Sequence, residues 1–96
     1  MAVISITRFQ TGSTDAEEVQ ARHADLVSAV RATQPGLAEA RLGRLDDGTW
    51  VGVWRWDSAA RLQAARQAAH DMSAATAAFE VVRDATVEDI EILADL

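Results

Sequence analysis

Three tryptophans within seven residues are the first feature of this sequence that could bind a ligand. Trp50, Trp54 and Trp56 lie in the run Thr-Trp-Val-Gly-Val-Trp-Arg-Trp-Asp-Ser, and the two-residue period of a strand turns all three, together with Gly52, to one face. Because glycine has no side chain, this face has a gap that could admit a flat side chain or an aromatic ligand. Tryptophans also serve as ordinary core residues, but three on one face exceed what a thin core needs. We therefore expect a cavity there, with Trp54 and Trp56 as its best candidates and Trp50 beside them.

A histidine on an apolar helix stripe is the candidate acid–base group. His23 lies between Val19 and Leu26 on that stripe. The pattern allows a buried imidazole bonded to a neighbour, or an imidazole that faces a cavity and takes a phenolic proton at near-neutral pH. A deprotonated phenol or anthrone can pass an electron to molecular oxygen without a metal or flavin, so one base in an apolar cavity is sufficient in principle. His23 is thus the candidate catalytic residue.

Other polar residues offer less chemistry. Ser5 and Thr7 share one face of the first predicted strand and could donate hydrogen bonds into the same cavity. His70 falls on the polar border of a predicted helix, where we expect it to be solvated. The two histidines and the scattered carboxylates give no metal-ligand spacing, and no glycine-rich phosphate loop is present. We therefore predict no metal site and no cofactor.

The composition narrows the classes of partner. The chain has 96 residues, 9 Lys+Arg against 15 Asp+Glu, a net charge of −6 and no cysteine. This length fits one domain over residues 1–96. The low and dispersed basic charge disfavours nucleic acid and anionic membranes, and the absence of cysteine excludes disulfides and thiolate chemistry. Without a leader or a long apolar run, the sequence predicts a soluble, cytoplasmic protein.

The periodicities predict the elements that would position these residues. The sequence indicates strands over residues 2–9, 37–45, 49–56 and 86–93, and helices from about residue 14 to 34, over 59–72 and, more briefly, over 74–82. Thr14 and Glu17 have the spacing of a capping box, and Pro35-Gly36 ends the first helix. Asp46-Asp47-Gly48 predicts a hairpin between the second and third strands.

This order, β-α-β-β-α-β, predicts an α+β protomer with a four-stranded antiparallel sheet and helices on one face. The first and third strands, as the most apolar, should be central. The sheet face that points away from the helices would expose Val51, Val53 and Arg55. The apolar part of this surface is too large for a small monomer, so we expect a second copy of the chain to cover it. Arginines 8, 41, 44 and 55 are predicted surface or dimer-interface charges that pair with the acidic last strand.

Several of these motifs together resemble one known family. Pro35-Gly36-Leu37, the Asp-Asp-Gly hairpin and the tryptophan-rich run leading into a helix are similar to the antibiotic biosynthesis monooxygenases over nearly the whole chain. The resemblance implies ferredoxin-like protomers that pair sheet to sheet as a dimeric α+β barrel, each with a cavity between sheet and helices. Members of this family oxidise polycyclic phenols or anthrones to quinones with oxygen and no cofactor, and a second branch degrades haem.

The resemblance also assigns residues. Trp56 matches the tryptophan that lines the cavity of the quinone-forming enzymes, whereas Gly52 stands where they have an asparagine and Leu62 stands nearest to their tyrosine. The tryptophan and histidine of the haem-degrading branch fall near Ala64 and Ala74, so we reject haem degradation. A quinone-forming oxygenase, a binding protein for small apolar aromatics and a cofactorless polyketide cyclase or isomerase all remain open.

Overall fold

The computed structural model describes all 96 residues as four strands and three helices. In chain order these are β1 (Val3–Gln10), α1 (Ala16–Thr33), β2 (Leu37–Arg44), β3 (Trp50–Trp56), α2 (Ala59–Ala69), α3 (Ser73–Phe79) and β4 (Arg83–Glu91). The strands form one antiparallel sheet in the order β2-β3-β1-β4. The predicted ferredoxin-like protomer, with β1 and β3 central and the helices on one face, is confirmed. None of the helices is both long and apolar enough to cross a membrane.

The start of α1 differs from its prediction. The helix begins at Ala16 with Asp15 as its N-cap, and no side chain caps it. The prediction of a capping box formed by Thr14 and Glu17 is therefore wrong. The amide of Thr14 donates instead to the carbonyl of Thr11 at 3.2 Å, so Thr14 belongs to the turn that precedes the helix.

The second helical region also differs, because α2 stops at Ala69 instead of continuing to residue 72. The amides of Asp71 and Met72 bond to carbonyls three residues back, a tighter turn that ends the α-helix. Met72 is extended, and α3 then starts at Ser73. Strand β4 begins at Arg83, three residues earlier than predicted, with Asp84 at φ 53° where the chain enters the strand.

The core lies between the sheet and the helices in two clusters. The larger is centred on Trp56, which is only 1% exposed, and includes Val3, Leu26 and Leu62. The smaller consists of Phe9, Val19 and Trp50. Alternate residues of β1 and β3 supply the sheet side of both clusters, as the two-residue period predicts.

The strand register sets two rows of side chains under the helices. Ser5 on β1 lies opposite Trp54 on β3 and Asp89 on β4. Thr7 in turn lies opposite Gly52 and Val87. Strand β4 is an edge strand with exposed residues throughout, so the space above these rows is open on the β4 side.

Candidate functional site

A cavity of about 280 Å³ lies between the sheet and the helices. Fifteen of its twenty lining residues are hydrophobic. In such a cavity, hydrogen bonds to the few polar groups can determine the orientation of a ligand. The polar side chains are those of Ser5, Thr7, His23 and Arg66. Gly52, Trp54, Trp56 and Leu62 line the cavity as well. The structure thus brings together seven of the eight candidate residues.

Gly52 and His23 meet across the cavity wall. A methyl group at Gly52 would lie 3.9 Å from Cε1 of His23 and 4.0 Å from Nε1 of Trp54. The space left by the missing side chain is therefore bordered by the imidazole and the indole. Helix α1 places His23 there because His23 follows the buried Val19 by four residues and precedes the buried Leu26 by three.

His23 has both a protein partner and a place on the cavity wall. Nε1 of Trp54 donates to Nε2 of His23 at 3.3 Å, and the two rings meet edge to face with centroids 5.5 Å apart. Since Nε2 accepts this bond, Nδ1 carries the proton of the neutral ring. Burial lowers the pKa of His23 below its ordinary value of 6.5. The imidazole is therefore neutral at pH 7, as a proton acceptor must be.

Trp56 presents an unused donor. Its Nε1 is buried and has no hydrogen-bond partner, a condition that costs about 1–3 kcal/mol when nothing compensates it. Its ring lies 6.4 Å from that of Trp54 at an angle of 37°. The two indoles form a continuous aromatic wall, and an oxygen atom of a ligand could satisfy the unpaired N–H.

Trp50 does not line the cavity, which corrects the sequence expectation. It is buried at the first position of β3, where its Nε1 donates to Oγ1 of Thr11 at 3.1 Å. Its ring stacks on Phe9 at 6.4 Å, and the guanidinium of Arg44 lies 5.0 Å from its centroid. Periodicity placed Trp50 on the correct face but could not show that Phe9 and Val19 would cover it.

Arg66 is a cavity residue that the sequence analysis missed. Its Nη1 and Nη2 donate to the carboxylate of Asp89 at 2.7 and 2.6 Å, and Nη2 also donates to Oγ of Ser5 at 3.2 Å. The pKa of Asp89 is lowered, chiefly by its hydrogen bonds to Arg66. The signal was present in the sequence, because Arg66 follows Leu62 by one helical turn and so shares its face.

The remaining charged candidates lie away from the cavity. His70 is exposed, as predicted. Arg8 pairs with Glu88 of β4, as predicted, but Arg55 pairs with Asp95 beyond the strand and Arg41 with Glu39 in its own strand. No three His, Asp or Glu residues come together as a possible metal site.

Comparison with solved structures shows the same fold over nearly the whole chain. SnoaB, a cofactor-independent oxygenase from Streptomyces nogalater, is 21% identical with a TM-score of 0.81, over 99% of this chain and 96% of that one. A variant of MhuD with two manganese protoporphyrin IX molecules bound per active site is 22% identical with a TM-score of 0.71, over 98% and 97%. A dimeric ferredoxin-like protein from Jannaschia sp. CCS1 is 15% identical with a TM-score of 0.69, over 96% and 100%.

Sequence comparison gives the family. No protein with a curated description matches the chain. The sequence model of the family described as "Antibiotic biosynthesis monooxygenase" matches residues 2–77, which include the cavity residues from Ser5 to Arg66. The chain belongs to the antibiotic biosynthesis monooxygenase family.

Proposed function

We propose that this protein is a cofactor-independent monooxygenase that oxidises a small or polycyclic aromatic substrate, a phenol or an anthrone, with molecular oxygen. Family membership and the similarity to a cofactor-independent oxygenase support this class. The observation that carries the proposal is a neutral imidazole, His23, on the wall of a largely apolar, tryptophan-lined cavity. Such a site can remove a proton from a substrate that is held against an apolar wall.

The chemistry needs one base and the substrate's own electrons. A hydroxyl or acidic C–H of the substrate displaces the N–H of Trp54 and gives its proton to Nε2 of His23. The resulting carbanion or phenolate then transfers electrons to oxygen. For an anthrone, one oxygen atom becomes the new carbonyl and the other leaves as water, so that anthrone and O2 give anthraquinone and H2O. No external reductant is required.

The volume of the cavity indicates how much of a substrate it can enclose. At the packing density of protein interiors, about 0.74, a cavity of 280 Å³ accommodates a ligand of about 210 Å³. Two or three fused six-membered rings have that size. Trp54 and Trp56 would stack against such rings, and the free Nε1–H of Trp56 would donate to a ring oxygen.

A non-catalytic binding protein is the second candidate. The observation in its favour is that the lone pair of His23 Nε2 already accepts a hydrogen bond from Trp54, so the imidazole acts as a base only after that bond is broken. A cofactorless cyclase or isomerase would use the same base without consuming oxygen.

We further propose a homodimer that pairs through the uncovered sheet face. Ile4, Ile6, Val51 and Val53 alternate with the cavity residues of β1 and β3 and so point away from the helices. This apolar surface supports pairing with a second copy. The dimeric Jannaschia protein has the same fold.

Oxygen consumption separates the three activities. Chelator-treated protein is mixed with a panel of anthrones and naphthols in an oxygen electrode, and the products are identified. The oxygenase predicts one O2 consumed for each quinone formed. Substrate rearrangement without oxygen uptake identifies a cyclase or isomerase, and tight binding without turnover identifies a binding protein.

A further inference from the structure

Arg66 is the one cationic side chain on the cavity wall. It reaches from α2 to the β4 side of the sheet, where it is clamped by two hydrogen bonds to Asp89 and one to Ser5. The side chains of Arg66 and Asp89 are each 36% exposed, whereas Ser5 is buried. The guanidinium therefore spans from the outer edge of the cavity to its floor.

One edge of this guanidinium carries an unused donor. An arginine side chain has five N–H groups in a rigid plane, and three of them bond to Asp89 and Ser5. Nη2 has two N–H groups, one bonded to Asp89 and the other to Ser5. The N–H bonded to Ser5 lies on the same edge of the planar guanidinium as Nε–H. Nε–H has no protein partner. This edge therefore offers a donor next to Ser5. Besides Arg66, the hydroxyl of Ser5 helps to lower the pKa of Asp89, and its proton can rotate from that carboxylate to a ligand oxygen.

The charges here define which ligand group fits. Asp89 is ionised, since Arg66 lowers its pKa, and it neutralises Arg66 with bidentate geometry. A ligand carboxylate would be repelled by Asp89. A carbonyl oxygen, which carries only partial charge until the reaction develops it, can accept from Nε–H and the Ser5 hydroxyl without that repulsion.

The strand register relates this donor pair to His23. Ser5 on β1 lies directly opposite Trp54 on β3, and Trp54 bonds to His23. Neighbouring strands are about 4.8 Å apart. The base and the donor pair therefore lie above adjacent strands and line the same cavity, where one fused-ring ligand can contact both.

We propose that Arg66 Nε–H and the hydroxyl of Ser5 bind the carbonyl oxygen of a fused-ring aromatic ketone, with Asp89 as the positioning residue for Arg66. The inference rests on the proposed function, and it adds Arg66, Ser5 and Asp89 to the residues that hold and orient the substrate. When the proton moves to His23, the electron pair delocalises onto this oxygen. The donor pair stabilises the resulting oxyanion.

Two probes of equal shape test this assignment. Anthrone and 9,10-dihydroanthracene share the three-ring skeleton and differ in the carbonyl oxygen. Their dissociation constants are measured without oxygen by tryptophan fluorescence, and the ionisation of bound anthrone is followed by absorbance against pH. The variants are Arg66→Met, Ser5→Ala and, as the control, Arg31→Met, which removes the same charge from the exposed end of α1.

The parent protein and Arg31→Met are expected to bind anthrone about 10-fold or more tightly than dihydroanthracene, since hydrogen bonds from a charged donor are among the stronger ones in proteins. In Arg66→Met the preference should fall to below about threefold, and bound anthrone should ionise at a pH about one unit higher or more. Ser5→Ala should shift both in the same direction. The affinity for dihydroanthracene should be unchanged, which shows that the cavity is intact.

Either of two results would overturn the assignment: an undiminished preference for anthrone in both Arg66→Met and Ser5→Ala, or failure of the parent to bind either probe. Oxygen consumption is measured separately. If the carbonyl preference depends on Arg66 but no oxygen is consumed, the oxygenase proposal fails while the carbonyl site stands.

Discussion

At the scale of single residues, the surroundings of His23 decide in which protonation state it acts. Burial disfavours the imidazolium, and the hydrogen bond from Trp54 adds to this effect because it requires an unprotonated Nε2. Any base catalysis by His23 should therefore persist below pH 6.5 and decline only as pH falls through its lowered pKa.

The contribution of Trp54 to that pKa can be measured directly. In Trp54→Phe the donor to Nε2 is lost while an aromatic ring remains, so the pKa of His23 should rise toward 6.5. An NMR titration of the imidazole protons measures the change. Trp50→Phe is the matched control, because Trp50 bonds to Thr11 in a separate cluster. Equal His23 pKa values in the parent and Trp54→Phe would show that the indole N–H has no influence.

The same group makes stability depend on pH. Because the folded pKa of His23 is below the unfolded value of 6.5, the unfolded chain binds the proton first as pH falls. The stabilisation is complete above pH 6.5 and is lost between 6.5 and the folded pKa. Urea denaturation between pH 7.5 and 5 should show this loss, and His23→Gln should flatten it. The ionised carboxylate of Asp89 also stabilises the folded state, and this contribution is lost only as pH falls below 3.8, because its folded pKa is lowered from that value. A His23→Gln curve parallel to the parent would contradict the assignment.

At the scale of elements, Gly36 determines how β2 follows α1. It has φ +103°, and a methyl group there would lie 2.4 Å from Cδ of Arg61 and 2.7 Å from Oδ1 of Asp57. Its carbonyl also accepts from the amide of Asp57 at 2.9 Å. The glycine therefore permits both the turn and the close approach of β2 to the β3–α2 junction.

Three glycine-to-alanine variants separate these effects. Gly48 has φ +89° and open space around its Cβ position, and Gly43 has open space without a positive φ. Gly43→Ala should be within about 0.5 kcal/mol of the parent, and Gly48→Ala should cost about 1–2 kcal/mol from backbone strain alone. Gly36→Ala should cost about 1 kcal/mol more than Gly48→Ala because Arg61 and Asp57 must also move. Denaturant midpoints measure the loss of stability in all three variants. Equal losses in Gly36→Ala and Gly48→Ala would show that crowding by Arg61 and Asp57 contributes nothing at Gly36.

The elements also show what the sequence could and could not predict. Period-two alternation and the Asp-Asp-Gly hairpin were sufficient for β1, β2 and β3 and for the faces of Trp54, Trp56 and Ser5, because these signals are local, whereas β4 begins three residues earlier than predicted. The break after Ala69 was missed since the alanine-rich segment favours helix throughout. The bond between Arg66 and Asp89 depends on a strand and a helix 23 residues apart, so no local pattern contained it.

At the scale of the whole molecule, the bare sheet face predicts the assembly. Sedimentation equilibrium should give about twice the chain mass of 10.3 kDa. Arg55→Glu should weaken the dimer, because it replaces the pair with Asp95 by two like charges on the uncovered side. Arg31→Glu changes the charge equally on the exposed end of α1 and should leave the mass unchanged. A parent protein that sediments as a monomer would rule out sheet-to-sheet pairing.

In the proposed function, His23 acts as the base in an oxygen-consuming reaction inside the cavity. The most direct test is the initial rate of anthraquinone formation from anthrone, compared between the parent and His23→Ala at equal ligand occupancy. We predict that His23→Ala binds anthrone nearly as well as the parent but forms the quinone at least about 100-fold more slowly, the usual range for loss of a general base. An unchanged rate in His23→Ala, or a parent rate no higher than that of anthrone in buffer alone, would contradict it.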